Sequence, residues 1–174
     1  MKVRTPPSTK IGYRQSPLRV KGVPILSVLF FSALPAMLPV IAKSPTMPPF
    51  GLMIFISWRL LQPNLWPVWI GIPLGFFDDL VSGQPLGSSI FLWTVIMLVF
   101  EAIEKRFIWR DYWMEWFLGS VALVFCIIMG LLFANLHGGS THIQVILPQL
   151  LFSILFYPVA ARICSWLDRI RLGR

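Results

Sequence analysis

The sequence predicts an all-α polytopic membrane protein with six transmembrane helices. Three observations carry that prediction. The 174 residues are 56% hydrophobic and only 13% charged, where soluble domains carry about 25% charged residues, and the mean hydropathy is +0.74. Apolar runs alternate with polar breakers along the whole chain. Lys and Arg gather in alternate connecting segments instead of being spread evenly among them. Several spans of about 20 residues leave no length for a large extramembrane domain.

The elements follow in order. Residues 1–22 are polar, basic and proline-containing, which suits a cytoplasmic tail near anionic lipid. Val23–Ala42 is the first apolar run; it is long for a signal-peptide core and lacks a small-x-small cleavage site, so a retained span is expected. Span two covers Met47–Leu61 and stops at the turn signal Gln62-Pro63-Asn64. Span three, Leu65–Phe77, is short and broken by Pro67, Gly71, Pro73 and Gly75. Span four runs Leu86–Glu104, span five Met114–Leu136 and span six Ile143–Leu167. The domain plan is a basic tail (1–22), a six-helix membrane domain (23–168) and a basic C-terminus (169–174).

Charge sets the orientation. The formal net charge is +8, from 15 Lys and Arg against 7 Asp and Glu. Six spans with both termini cytoplasmic put every Lys and Arg except Lys43 on the inner side, as the positive-inside rule requires. Treating residues 47–77 as one span would move the 105–110 loop and the C-terminus to the other side. The basic residues flank apolar runs and form no aromatic-interleaved patch, so nucleic acid is not an expected partner. The bilayer is.

The candidate site lies in Gly75-Phe76-Phe77-Asp78-Asp79-Leu80-Val81-Ser82-Gly83-Gln84-Pro85-Leu86-Gly87. A carboxylate at the centre of a bilayer costs about 2.5–3.5 kcal/mol on insertion scales. Two in a row belong at an interface or in a protein-lined cavity. Gly71, Gly75, Asp79, Gly83 and Gly87 recur every fourth residue, but Pro73 and Pro85 argue against one continuous helix. The expected arrangement is a span ending near Asp79, a tight turn, and span four starting near Leu86. Ser88 and Ser89 are candidates to satisfy the amides of its first turn. Asp79 is then either a polar anchor for a partner or a cap for the turn, and spacing alone leaves both open.

Other residues have plainer readings. Seven of the eight tryptophans, Trp58, Trp66, Trp69, Trp109, Trp113, Trp116 and Trp166, fall near span boundaries and suggest an interfacial belt; Trp93 lies inside span four. Ala122, Cys126, Gly130 and Ala134 form a small-residue stripe on span five, a candidate helix-packing face. Cys126 and Cys164 sit in apolar runs and read as packing residues rather than a disulfide. His137 and His142 lack the spacing of a zinc motif and read as loop residues, so no metal and no cofactor is expected. Glu101 and Lys105 have the spacing of a helical ion pair. No nucleophile elbow, phosphate loop or dinucleotide fingerprint appears, and nothing specifies a reaction.

At Gly75-x-x-x-Asp79-x-x-x-Gly83-x-x-Leu86-Gly87 the chain resembles the MreD family of bacterial rod shape-determining membrane proteins. Asp79 matches the family aspartate by spacing, and Asp78 is an additional carboxylate beside it. The basic tail, about six spans, Tyr157-Pro158 late in the last span and the Arg-rich end extend the resemblance over nearly the whole chain. It implies a non-enzymatic inner-membrane component of the cell-elongation complex. The implied partners are an MreC-like bitopic protein, MreB filaments indirectly, a RodA-type glycosyltransferase and a class B penicillin-binding transpeptidase. The implied fold resembles the six-helix substrate-binding subunits of energy-coupling-factor transporters. The implied motif residues, whether for partner binding or for structure, are Gly75, Asp79, Gly83, Leu86 and Gly87.

Two rival functions use the same features. A substrate-binding membrane subunit of a small-molecule transporter also suits broken helices with termini at a site. A lipid-modifying enzyme using Asp78, Asp79, His137 and His142 has only their shared side in its favour.

Overall fold

Six α-helices and one 3-10 turn make up the computed structural model, which describes residues 17–37, 47–63, 65–105, 112–136 and 143–172. They are α1 (Pro17–Met37), α2 (Phe50–Leu61), α3 (Gly71–Ser82), α4 (Ser88–Glu104), α5 (Tyr112–Leu136) and α6 (Ile143–Leu172), with the 3-10 turn Val68–Ile70 leading into α3. No strand occurs among the described residues. The protein is all-α.

Helix α2 is the centre of the bundle. Ten of its 12 residues, Gly51 through Leu60, are buried. A helix that is apolar on every side must be surrounded by other helices, and α1, α5 and α6 all pack on it. At Gly51 the α1 backbone comes so close that an added Cβ would overlap the Ser32 hydroxyl. Phe55 stacks between Trp93 of α4 (centroids 4.5 Å apart) and Trp66 (5.6 Å). Aromatic stacks of this kind contribute about 0.5–1.5 kcal/mol beyond the area they bury.

Several boundaries differ from the sequence expectation. The described part of α1 already includes Pro17–Gly22, which the sequence assigns to the basic tail. The third element is displaced toward its C-terminus: the helix runs Gly71–Ser82 and contains both Asp78 and Asp79. Pro73 falls in its first turn, where no intrahelical amide is needed, and Gly83 ends it at φ 69°. Two tryptophan expectations are also corrected. Trp58 and Trp66, expected in an interfacial belt, are buried core residues, as is Trp93. Trp58 Nε1–H donates to Ser27 Oγ at 2.8 Å, which satisfies the polar tip inside the core. Trp69, Trp113 and Trp166 are exposed, and Trp109 lies outside the described residues.

Among the described residues, α5 and α6 each hold a stretch long and apolar enough to cross a membrane, Trp113–Leu136 and Ile146–Leu172. The 12-residue helices α2 and α3 are about 18 Å long at 1.5 Å per residue, short of a hydrocarbon core of about 30 Å. Helix α2 is enclosed by other helices, whereas α3 buries Leu74, Gly75 and Asp79 and leaves Ile72, Phe76 and Leu80 exposed.

The two ends of the bundle differ in chemistry. At one end the C-terminal parts of α1, α3 and α5 and the N-terminal parts of α2, α4 and α6 surround a cavity. At the other, the C-terminal ends of α2, α4 and α6 meet in an ionic cluster. Arg59, only 3% exposed, makes a two-pronged contact with Glu104 at 2.7 and 2.8 Å and donates to the Pro63 carbonyl at 2.7 Å. Arg171 pairs with Asp168 at 2.6 Å and lies over the Trp58 ring, 5.5 Å from its centroid. Glu101 and Lys105 form the expected ion pair at 2.9 Å.

Candidate functional site

The glycine-rich motif folds as a tight antiparallel hairpin of α3 and α4. An ideal Cβ on Gly75 would stand 2.7 Å from the Ser89 carbonyl oxygen and 2.8 Å from the Ile90 Cα. On Gly71 it would stand 3.0 Å from the Thr94 amide nitrogen. These neighbours are backbone and cannot swing aside. The two glycines therefore set how closely α3 and α4 approach, a small-x-x-x-small contact made within one chain.

The connection between the helices depends on two further glycines. Gly83 has φ 69° and Gly87 φ 99°, the left-handed region that favours glycine, and nothing crowds either Cα. Gly83 terminates α3, and Gly87 is the residue immediately before α4. The Ser88 amide donates to the Pro85 carbonyl at 3.1 Å, which closes the turn. Leu86, between them, is 71% exposed.

Asp79 ties the hairpin together. It is 2% exposed. Its Oδ2 accepts the Gly87 amide at 2.8 Å, and its Oδ1 accepts the Ser89 amide at 2.9 Å and the Ser88 hydroxyl at 3.1 Å. Amides at a helix start have no intrahelical acceptor, and the helix dipole favours negative charge there. Asp79 thus caps α4 from the neighbouring helix. The expectation that Ser88 and Ser89 would satisfy these amides is corrected: both hydroxyls are donors to carboxylates. Ser89 Oγ donates to Asp78 Oδ2 at 3.0 Å.

The paired carboxylates therefore have different surroundings. Asp79 is enclosed with three donors. Asp78 is half-buried and faces the cavity, whose volume is about 580 Å³. The cavity wall also includes Ser32, Gln84, Trp93, Cys126 and Gln149.

The stripe on α5 is divided between two environments. Ala122 and Cys126 are buried, while Cys126, Gly130 and Ala134 line the cavity. A Cβ on Gly130 would have Gln84 Oε1 as its nearest neighbour, at 3.9 Å. Closer packing occurs about three turns earlier, where a Cβ on Gly119 would overlap the Tyr157 ring. Both cysteines are free thiols and buried. His137, His142 and Lys43 lie outside the described residues. Among the described residues no three His, Cys, Asp or Glu side chains gather as a metal site.

Sequence reasoning missed the Arg59–Glu104 pair, whose members are 45 residues apart. A signal did exist, since Arg59 interrupts an otherwise apolar run, and such a charge calls for a partner.

No curated protein and no solved structure matches the chain. The family model for rod shape-determining protein MreD matches residues 19–165, which covers α3, the turn and α4 together with most of the remaining bundle. With the Asp79-capped hairpin inside the matched region, the chain belongs to the MreD family of shape-determining membrane proteins.

Proposed function

We propose that this chain is a non-enzymatic inner-membrane scaffold of the bacterial cell-elongation complex. In this reading it crosses the membrane six times with both termini cytoplasmic, in an architecture like that of energy-coupling-factor substrate-binding subunits. It holds an MreC-like bitopic protein directly and MreB filaments indirectly, beside a RodA-type glycosyltransferase and a class B penicillin-binding transpeptidase. Family membership over most of the chain carries the reading.

The hairpin geometry supports an architectural motif. Asp79 is enclosed and its oxygens are engaged by three donors, so it holds α3 and α4 together instead of meeting a substrate. Gly75 contacts α4, so the partner surface in this reading is the exposed flank of α3, about 100° round the helix from that contact. There Ile72, Phe76 and Leu80, at four-residue spacing, are 49%, 48% and 58% exposed. A partner's transmembrane helix laid along that flank gains dispersion contacts with a surface already held rigid by the hairpin.

Depletion of the chain in its native host tests the function. Rods should round up and recover their shape when the wild-type chain is restored. Rods that keep their shape and width through depletion would contradict the proposal. The cavity favours one rival, a substrate-binding subunit of a small-molecule transporter; that reading requires ATP-hydrolysing subunits to co-purify with the chain.

A further inference from the structure

The cavity beside the hairpin is a second feature, separate from the packing that the motif performs. About 580 Å³ is within the range of small-molecule sites, roughly 300–1,000 Å³. Its wall is mainly apolar, with Leu92, Ile127 and Leu131 among the contributors. Asp78 is the only acidic or basic side chain among the described residues that line it. Asp78 Oδ2 accepts the Ser89 hydroxyl at 3.0 Å, and among the described residues the wall brings it no cation. A carboxylate in such surroundings is stabilised most by an opposite charge brought to it.

We propose that this cavity binds an ammonium group carried on an apolar body, with Asp78 as its counter-ion. Two sources supply that chemistry: a free amphipathic amine and the headgroup of an aminophospholipid. The apolar wall takes the body of the ligand, and Gln84 and Gln149 provide amide groups for any hydroxyl or phosphate near the amine. The site stands whether the chain scaffolds partners or serves a transporter, since neither role sets the charge of this cavity.

Two substitutions separate charge from volume. Asp78→Asn removes the counter-ion and keeps the shape. Gly130→Leu fills the cavity and keeps the carboxylate, because a side chain at 130 projects into open space. The full chain is placed in phosphatidylglycerol nanodiscs and titrated calorimetrically with 2-phenylethylamine, with 2-phenylethanol as the uncharged control. In parallel, native mass spectrometry reads lipid retained from nanodiscs containing phosphatidylethanolamine. Saturable amine binding that falls at least tenfold in both variants, with no binding of the alcohol, supports the site with a free amine as ligand. Retained phosphatidylethanolamine that is lost in both variants supports it with a lipid as ligand. Absence of both ligands from the wild-type chain, or binding that survives in either variant, overturns the proposal.

Discussion

The Asp79 carboxylate accepts the amide of Gly87, eight residues further along the chain, at 2.8 Å. That bond, with those from Ser88 and Ser89, makes one side chain of α3 the N-terminal cap of α4. A cap supplied by a neighbouring helix couples two events, since α4 cannot start correctly unless α3 is docked beside it.

Asp79→Ala should therefore destabilise the bundle by about 1–3 kcal/mol, the cost of leaving buried donors without an acceptor. Asp79→Asn should lose a comparable amount, because its amide NH2 faces donors and cannot accept from all three. Thermal unfolding of purified protein in nanodiscs checks both. A melting temperature equal to wild type in either variant would show that the cap is replaceable by water.

The helix approach makes a sharper contrast between two glycines. Gly75→Ala puts a methyl 2.7 Å from the Ser89 carbonyl oxygen, and α3 and α4 must separate to admit it. The expected cost is about 1–3 kcal/mol, as for overpacking of a core. Gly130→Ala meets nothing closer than 3.9 Å and should be within about 0.5 kcal/mol of wild type. Parallel melts of the two variants decide whether the close contact or the helical glycine itself matters.

Breaking the ionic cluster at the other end should be severe. Arg59→Ala leaves Glu104, with a side chain 21% exposed, without its two-pronged partner and frees the Pro63 carbonyl. The single variant should lose about 3 kcal/mol, as when one member of a buried pair is removed. Arg59→Met with Glu104→Leu should recover most of that loss. A double-mutant cycle on unfolding free energies tests it, and strict additivity would mean the two residues are not coupled.

Much of the bundle was legible because apolar runs and breakers act locally. The turn at Gly83–Gly87 could be placed from glycine and proline alone, and the Glu101–Lys105 pair from helical spacing. What escaped depends on contacts between distant elements. The four-residue spacing with Gly71 and Gly75 singles out Asp79 from Asp78 but not what each one meets; one helical residue's rotation, about 100°, turns Asp79 onto α4 and leaves Asp78 facing the cavity. Trp58 and Trp66 looked like interfacial anchors because they sit at the ends of apolar runs. Helix α2 is so short and so enclosed that its end is still core. The cavity draws its wall from all six helices, and no single stretch of sequence encodes it.

The orientation proposed from the distribution of Lys and Arg can be tested on its own. An alkaline phosphatase fused after Arg174 should be inactive, and one fused after Gln84, in the α3–α4 turn, should be active. Activity at the C-terminus would reverse the assignment of cytoplasmic ends.

The most direct test of the account is quantitative co-purification from native membranes with the tagged wild-type chain and its Asp79→Ala variant, normalised to chain recovered. The account predicts that an MreC-like bitopic protein accompanies the wild type and falls several-fold in the variant, while the variant still accumulates in the membrane. Equal recovery of that partner, in cells that remain normal rods, would contradict it.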